Sequence, residues 1–134
     1  MKKYISLLFA SLFLFALMSF VSKKSHNDPW PVPDKYKNMP NPVKSDATSI
    51  AKGKELYTQH CKSCHGSKGK GDGPKAAQLD TECGDFTKAV TQSQTDGSLF
   101  YKTSEGRKDM PSFKKKIPDA NDIWAVENYM RALK

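Results

Sequence analysis

Five of the chain's eight prolines fall between residues 29 and 42, in Asp28-Pro29-Trp30-Pro31-Val32-Pro33 and Met39-Pro40-Asn41-Pro42. Proline fixes φ and lacks an amide donor, so this density excludes helix and favours extended polyproline geometry. Residues 23–45 therefore read as a linker or as a strap lying across a folded unit. Trp30, Tyr36 and Met39 are unfavourable in water, which argues for the strap. Upstream, Lys2-Lys3 precedes an apolar run from Tyr4 to Val21 broken only by Ser6, Ser11 and Ser19. These are the charged and apolar regions of an export signal, and the run borders the roughly 20 residues that span a bilayer. Residues 1–22 are thus expected to be a signal peptide or an N-terminal membrane anchor, on an exported, periplasmic protein. No cysteine precedes Cys61, which excludes the modified cysteine of a lipoprotein. What remains, 46–134, is one small domain, and units this short usually need a cofactor, metal or disulfides to supplement the core.

Lys and Arg outnumber Asp and Glu by 22 to 14, a net charge of +8. Setting residues 1–22 aside removes two lysines and no acid, so the balance stays basic. Nucleic acid is not the expected partner: only Arg107 and Arg131 are arginines, and no nucleic-acid motif is present. A basic surface suits docking on the acidic face of a redox protein, or on an anionic membrane through the N-terminus. Lys114-Lys115-Lys116 is the one basic triplet of the folded part, and a solvated face is its alternative reading.

Ser45 or Asp46 can cap a helix beginning near Ala47, in which Ile50, Gly53, Leu56, Tyr57 and His60 recur at three- and four-residue spacing. Gly53 inside it is unfavourable by about 1 kcal/mol relative to Ala, so it predicts a close backbone approach. Asp119 or Asn121 caps a terminal helix with Ile123, Val126, Tyr129, Met130 and Leu133 on one face. Thr95 caps a middle helix carrying Leu99 and Phe100. Gly66 to Pro74 is a loop, and nothing reads as a strand, so the expected class is all-α.

Cys61-Lys62-Ser63-Cys64-His65 has the spacing of a haem c attachment site. Two residues between the cysteines let both sulfurs reach the vinyl groups of one haem as thioethers, and the next residue can turn its imidazole onto the iron. A redox dithiol would not need the histidine, and a structural zinc site would need a second ligand pair, whereas Cys83 stands alone. Met110, in Asp109-Met110-Pro111-Ser112-Phe113, is the candidate for the opposite axial position, with Pro111 stiffening the loop. His26 would serve instead if the strap folded over. Cys83 is expected to be buried, with pairing between chains as the alternative.

The sequence resembles the class I monohaem cytochromes c, especially bacterial ones of the oxidase-associated kind. The resemblance runs from Ile50 to Leu133. It rests on Gly53, Leu56-Tyr57, the segment Cys61 to Gly66, Gly69-Lys70-Gly71-Asp72-Gly73-Pro74, Met110-Pro111-Ser112-Phe113, and Trp124 to Arg131. It implies that the first and last helices cross at Gly53 with aromatic packing from Tyr57 and Tyr129 around a covalently bound haem. It further implies that the Pro74 carbonyl accepts a hydrogen bond from the second ring nitrogen of His65, as partners behind a metal ligand do.

With His65 and Met110 on the iron no coordination position is left for a substrate. The expectation is therefore a monomeric one-electron carrier holding one haem c and its iron, not an enzyme. Methionine ligation raises the potential relative to bis-histidine ligation. Phe86, Phe100, Phe113 and Trp124 are candidate pocket walls. Two alternatives stand beside it: a sensor or enzyme with a labile Met110, and a tethered electron-transfer subunit of a larger complex.

Overall fold

The computed structural model of the chain describes residues 29–133. The chain forms α1 (Asp34–Lys37), α2 (Ala47–His60), α3 (Lys62–His65), a 3-10 turn (Ala76–Gln78), α4 (Ala89–Gln92), α5 (Asp96–Glu105) and α6 (Ala120–Ala132). Among the described residues there is no strand, only an isolated antiparallel bridge between Arg107 and Met110. The architecture is all-α.

Local chemistry sets the helix starts. Asp46 accepts from the Ser49 amide at 3.0 Å while Ser49 Oγ accepts from the Asp46 amide at 3.1 Å, a reciprocal capping box that opens α2. Thr95 caps α5 by accepting from the Ser98 amide, and Asp119 caps α6 by accepting from the Asn121 amide. Helices α2 and α6 cross at Gly53, where a β-carbon would stand 2.0 Å from the Ala125 carbonyl oxygen. The Tyr57 and Tyr129 rings meet beside the crossing at 5.1 Å. Leu56, Leu99, Phe113, Ile117, Ile123, Val126 and Met130 form the buried core that α2, α5 and α6 share.

The proline-rich segment departs from expectation in one respect: helix is not excluded from it, since α1 occupies residues 34–37. No proline lies between Pro33 and Pro40, and Pro33 sits just ahead of the helix, where its fixed φ is tolerated and its carbonyl accepts from the Tyr36 and Lys37 amides. The segment lies along α5 and α6. Val32 is buried, the Tyr36 and Tyr101 rings are 4.8 Å apart, and Asn41 Nδ2 donates to Asn128 Oδ1 at 2.9 Å. Trp30 lies under the Arg107 guanidinium at 4.6 Å. The apolar run 4–21 and His26 fall outside the described residues; among those described, no helix is long and apolar enough to cross a membrane.

Candidate functional site

Helix α2 turns directly into α3 at the cysteine motif. The Cys61 amide donates to the Tyr57 carbonyl, and the Cys64 and His65 amides both donate to the Cys61 carbonyl at 3.1 and 2.9 Å. This winds residues 61–65 into a turn that places Cys61 and Cys64 at neighbouring i, i+3 positions with His65 beside them. Both thiols are free; Cys61 is buried and Cys64 half-buried. Burial pushes the Cys61 thiol up to about 12, with the carboxyl of Glu127 adding to it. Tyr57 locks the far side of the turn, its hydroxyl donating to the Gly66 carbonyl at 2.7 Å in a buried bond.

The loop after the motif folds back onto it. The Gly71 amide donates to the His65 carbonyl, the Gly73 amide to the Cys64 carbonyl and the Lys75 amide to the Ser63 carbonyl, at 2.9 to 3.1 Å. Pro74 is therefore pinned between two bonds to the motif, while its own ring is exposed. His65 is not fixed by a hydrogen bond at Nδ1, which is buried with no partner among the described residues. The ring is instead held by Phe86, stacked on it at 4.5 Å and 26°. Burial lowers the His65 pKa to about 4, against the opposite pull of the Cys83 backbone, so the imidazole is neutral at physiological pH and its lone pair is available to a metal.

Met110 is presented by a loop tied at both ends. The Arg107 amide donates to the Met110 carbonyl at 2.8 Å and the Met110 amide to the Arg107 carbonyl at 3.0 Å. Gly106 opens this turn with φ +69°, and a β-carbon there would meet the Met110 oxygen and the Pro111 carbon at 2.5 and 2.4 Å. Beyond it, Ser112 Oγ and the Phe113 amide donate to carbonyls at the end of α5. Asp109 accepts from the Thr81 amide at 2.9 Å, joining the loop to the segment that leads to Cys83 and Phe86. Met110, Phe86 and Phe100 pack half-buried against the apolar core. The structure thus gathers His65, through Phe86, and Met110 around one apolar cluster. Trp124 is buried and stacked on Phe100 at 4.1 Å, and Phe113 is buried within the core itself. Cys83 is half-buried rather than buried.

Two features of this region escape a reading of the sequence. Glu127 is wholly buried on α6; Thr103 Oγ1 donates to its Oε1 at 2.8 Å, and Oε2 has no partner. Asn128 is buried as well, donating to Ser49 Oγ at 3.1 Å and to the Val43 carbonyl at 3.2 Å. The only signal is that both sit beside Val126 on an amphipathic helix, where polar residues usually face water. A cavity of about 500 Å³ lies elsewhere, between Trp30 and Val32 of the strap and Ser98 and Lys102 of α5, and no residue of the cysteine motif lines it.

The donor set fits a covalently held haem. Two free thiols sit one helical turn apart, the adjacent imidazole is neutral, a buried ring nitrogen lacks a partner, and a thioether packs on the same apolar cluster. The family model described as cytochrome c oxidase, cbb3-type, subunit III matches residues 48–130. Among solved structures, the chain is 25% identical to one in the Kuenenia stuttgartiensis reducing HAO-like protein complex Kustc0457/Kustc0458, with a TM-score of 0.60 over 81% of this chain and 52% of that one. It is 30% identical to the KustC0563 c-type cytochrome, with a TM-score of 0.54 over 61% of this chain and 96% of that one. The chain thus spans about half the length of the first of these relatives and nearly all of the second. No curated protein matches it. The chain belongs to the cbb3-type subunit III family of cytochrome c domains; it is a class I monohaem cytochrome c of all-α fold, and its cofactor is covalent haem c with iron.

Proposed function

We propose that this member of the cbb3-type subunit III family is an exported one-electron carrier whose haem iron is held by His65 and Met110, and that it works between protein redox partners rather than on a substrate. The observation that carries this is that Phe86, stacked on His65, and Met110 pack against the same apolar core, with the free Cys61 and Cys64 thiols on the turn that carries His65. When bound, haem c supplies a reversible one-electron couple. The chain's own part is to anchor and orient it. Cys61 and Cys64 would provide two thioether links, His65 a neutral imidazole from a rigid turn, and Met110 a soft thioether from a loop tied at both ends. Methionine favours the reduced iron and raises the potential relative to bis-histidine ligation. With His65 and Met110 both holding the iron, no position would be left for a substrate, which favours transfer over catalysis. The exposed Lys114, Lys115 and Lys116 suit an acidic docking face on a partner, where charge speeds encounter.

Optical spectra of the oxidised and reduced protein test this reading, taken with and without Met110→Ala and carbon monoxide. The expected result is a long-wavelength sulfur-to-ferric-iron band in the parent that the substitution removes, and no carbon monoxide binding to the parent. Absence of that band together with ready carbon monoxide binding would overturn the carrier reading in favour of a sensor or enzyme. A second reading, a tethered subunit, is favoured by the family's description and by the likeness to a chain of a multi-protein complex. The mass of the mature protein separates the two, since residues 1–22 are retained in the tethered form and removed in the free one.

A further inference from the structure

Glu127 lies on α6 between core residues Val126 and Met130, at 0% exposure, and among the described residues no cation is bonded to it. Its one hydrogen bond comes from Thr103 of α5, and the hydroxyl of Ser104, the next residue of α5, is likewise buried without a partner. Two other groups act on it. Arg131 of α6 and Asp96 of α5, ion-paired to each other at 2.6 Å, act with opposite sign, Arg131 lowering the carboxyl's pKa and Asp96 raising it. The Cys61 thiol at the end of α2 feels the Glu127 charge, which places this carboxyl within electrostatic range of one of the two haem attachment points. A buried carboxylate without a cation is unfavourable, and in a low-dielectric interior its charge responds strongly to a unit change of charge nearby.

We propose that Glu127 is a redox-linked proton site: the carboxylate takes up one proton from water when the protein takes up one electron from a reduced donor protein, and releases it when the electron leaves. In the uptake direction an O–H bond forms at a Glu127 oxygen, the donor is oxidised by one electron, and the interior gains no net charge. The reverse step returns the proton to water and the electron to an oxidised acceptor. This inference rests on the reading of the protein as an electron carrier. Burial pushes the Glu127 carboxyl up to about 8, so the exchange falls in an accessible range of pH. The lower positive charge of the reduced centre raises the carboxyl's proton affinity and that of the oxidised centre lowers it. Reduction therefore takes up a proton at any pH between the two resulting pKa values.

The test is the reduction midpoint of the holoprotein against pH, run on material whose mass shows covalent haem and whose reduction is reversible. Failure of those two controls counts against the carrier reading, whereas the pH dependence and its response to substitution bear on the proton site alone. The electron-binding constant is expected to fall by up to tenfold per pH unit within the window, and Glu127→Gln, which retains an acceptor for Thr103, is expected to abolish that dependence while leaving the optical spectrum unchanged. A flat parent, or an unchanged slope in the variant, overturns the proposal. Should the variant not fold, the infrared difference spectrum of the parent decides. A protonated-carboxyl band that appears on reduction and shifts in heavy water supports the proposal, and its absence overturns it.

Discussion

Gly53 of α2 lies directly against the main-chain carbonyl of Ala125 in α6, closer than any side chain would allow. Replacing it with alanine sets two effects against each other. Alanine is favoured over glycine inside a helix by about 1 kcal/mol, whereas overpacking costs about 1–3 kcal/mol and more where the obstacle is backbone. The second effect wins, because the β-carbon would stand 2.0 Å from the oxygen and 3.0 Å from the Tyr129 β-carbon. Gly53→Ala is expected to destabilise the holoprotein by about 2 kcal/mol or more in denaturant unfolding. An unchanged midpoint would mean that the two helices cross with room to spare.

Gly106 governs the Met110 loop rather than the fold. Its φ of +69° and ψ of 172° lie in a region that only glycine occupies freely, at about 1–3 kcal/mol for other residues, and a β-carbon would also strike the backbone of Met110 and Pro111. Gly106→Ala is expected to weaken or remove the sulfur-to-iron band while covalent haem, by mass, and helical content, by circular dichroism, are kept. Retention of the band at parental strength would show that the loop absorbs the change without moving Met110.

Asn128 ties the strap to the helix crossing. It donates to Ser49 Oγ and the Val43 carbonyl and accepts from Asn41, whose side chain also reaches the Trp124 carbonyl. Truncation leaves several of these groups without partners in a buried setting, at about 1–3 kcal/mol for an unsatisfied group. Asn128→Ala is expected to lower stability by about 2–3 kcal/mol and to expose residues 29–45 to limited proteolysis before the rest of the chain is cut. Parental resistance of that segment would assign its docking to Val32 and Tyr36 instead.

The sequence makes legible what neighbouring residues decide among themselves. The caps at Asp46, Thr95 and Asp119 each use a side chain and an amide two or three residues apart, and the turn holding Cys61, Cys64 and His65 is set by its own spacing. Gly53 is legible because a glycine inside a helix demands a reason. The stacking of Phe86 on His65 is not, since it joins residues through a loop whose path depends on bonds such as Phe86 to Gly69. The same holds for Asn41 and Asn128, 87 residues apart. Helix α1 is hidden by averaging proline over a segment in which residues 34–39 contain none. Glu127 is hidden because periodicity places it at the margin of the apolar stripe, and only the packing of Thr103 and α5 over that margin buries it.

That buried carboxyl also makes stability depend on pH. Its pKa rises from an ordinary 4.5 to about 8 in the folded protein, chiefly through burial, with Thr103 and Arg131 acting the other way. Between those values the folded state holds a proton that the unfolded state has lost. The stabilisation is therefore fully present below about pH 4.5 and is lost as pH rises to about 8, at no more than roughly 1.4 kcal/mol per pH unit. Other groups titrate over the same range, so the informative quantity is the stability difference between the parent and Glu127→Gln, measured in one fixed oxidation state. The parent is expected to lose stability relative to the variant from about pH 5 to 8, with the difference levelling off above that. A difference that does not change with pH would show that Glu127 titrates as an ordinary exposed carboxyl and that water reaches it in the folded protein.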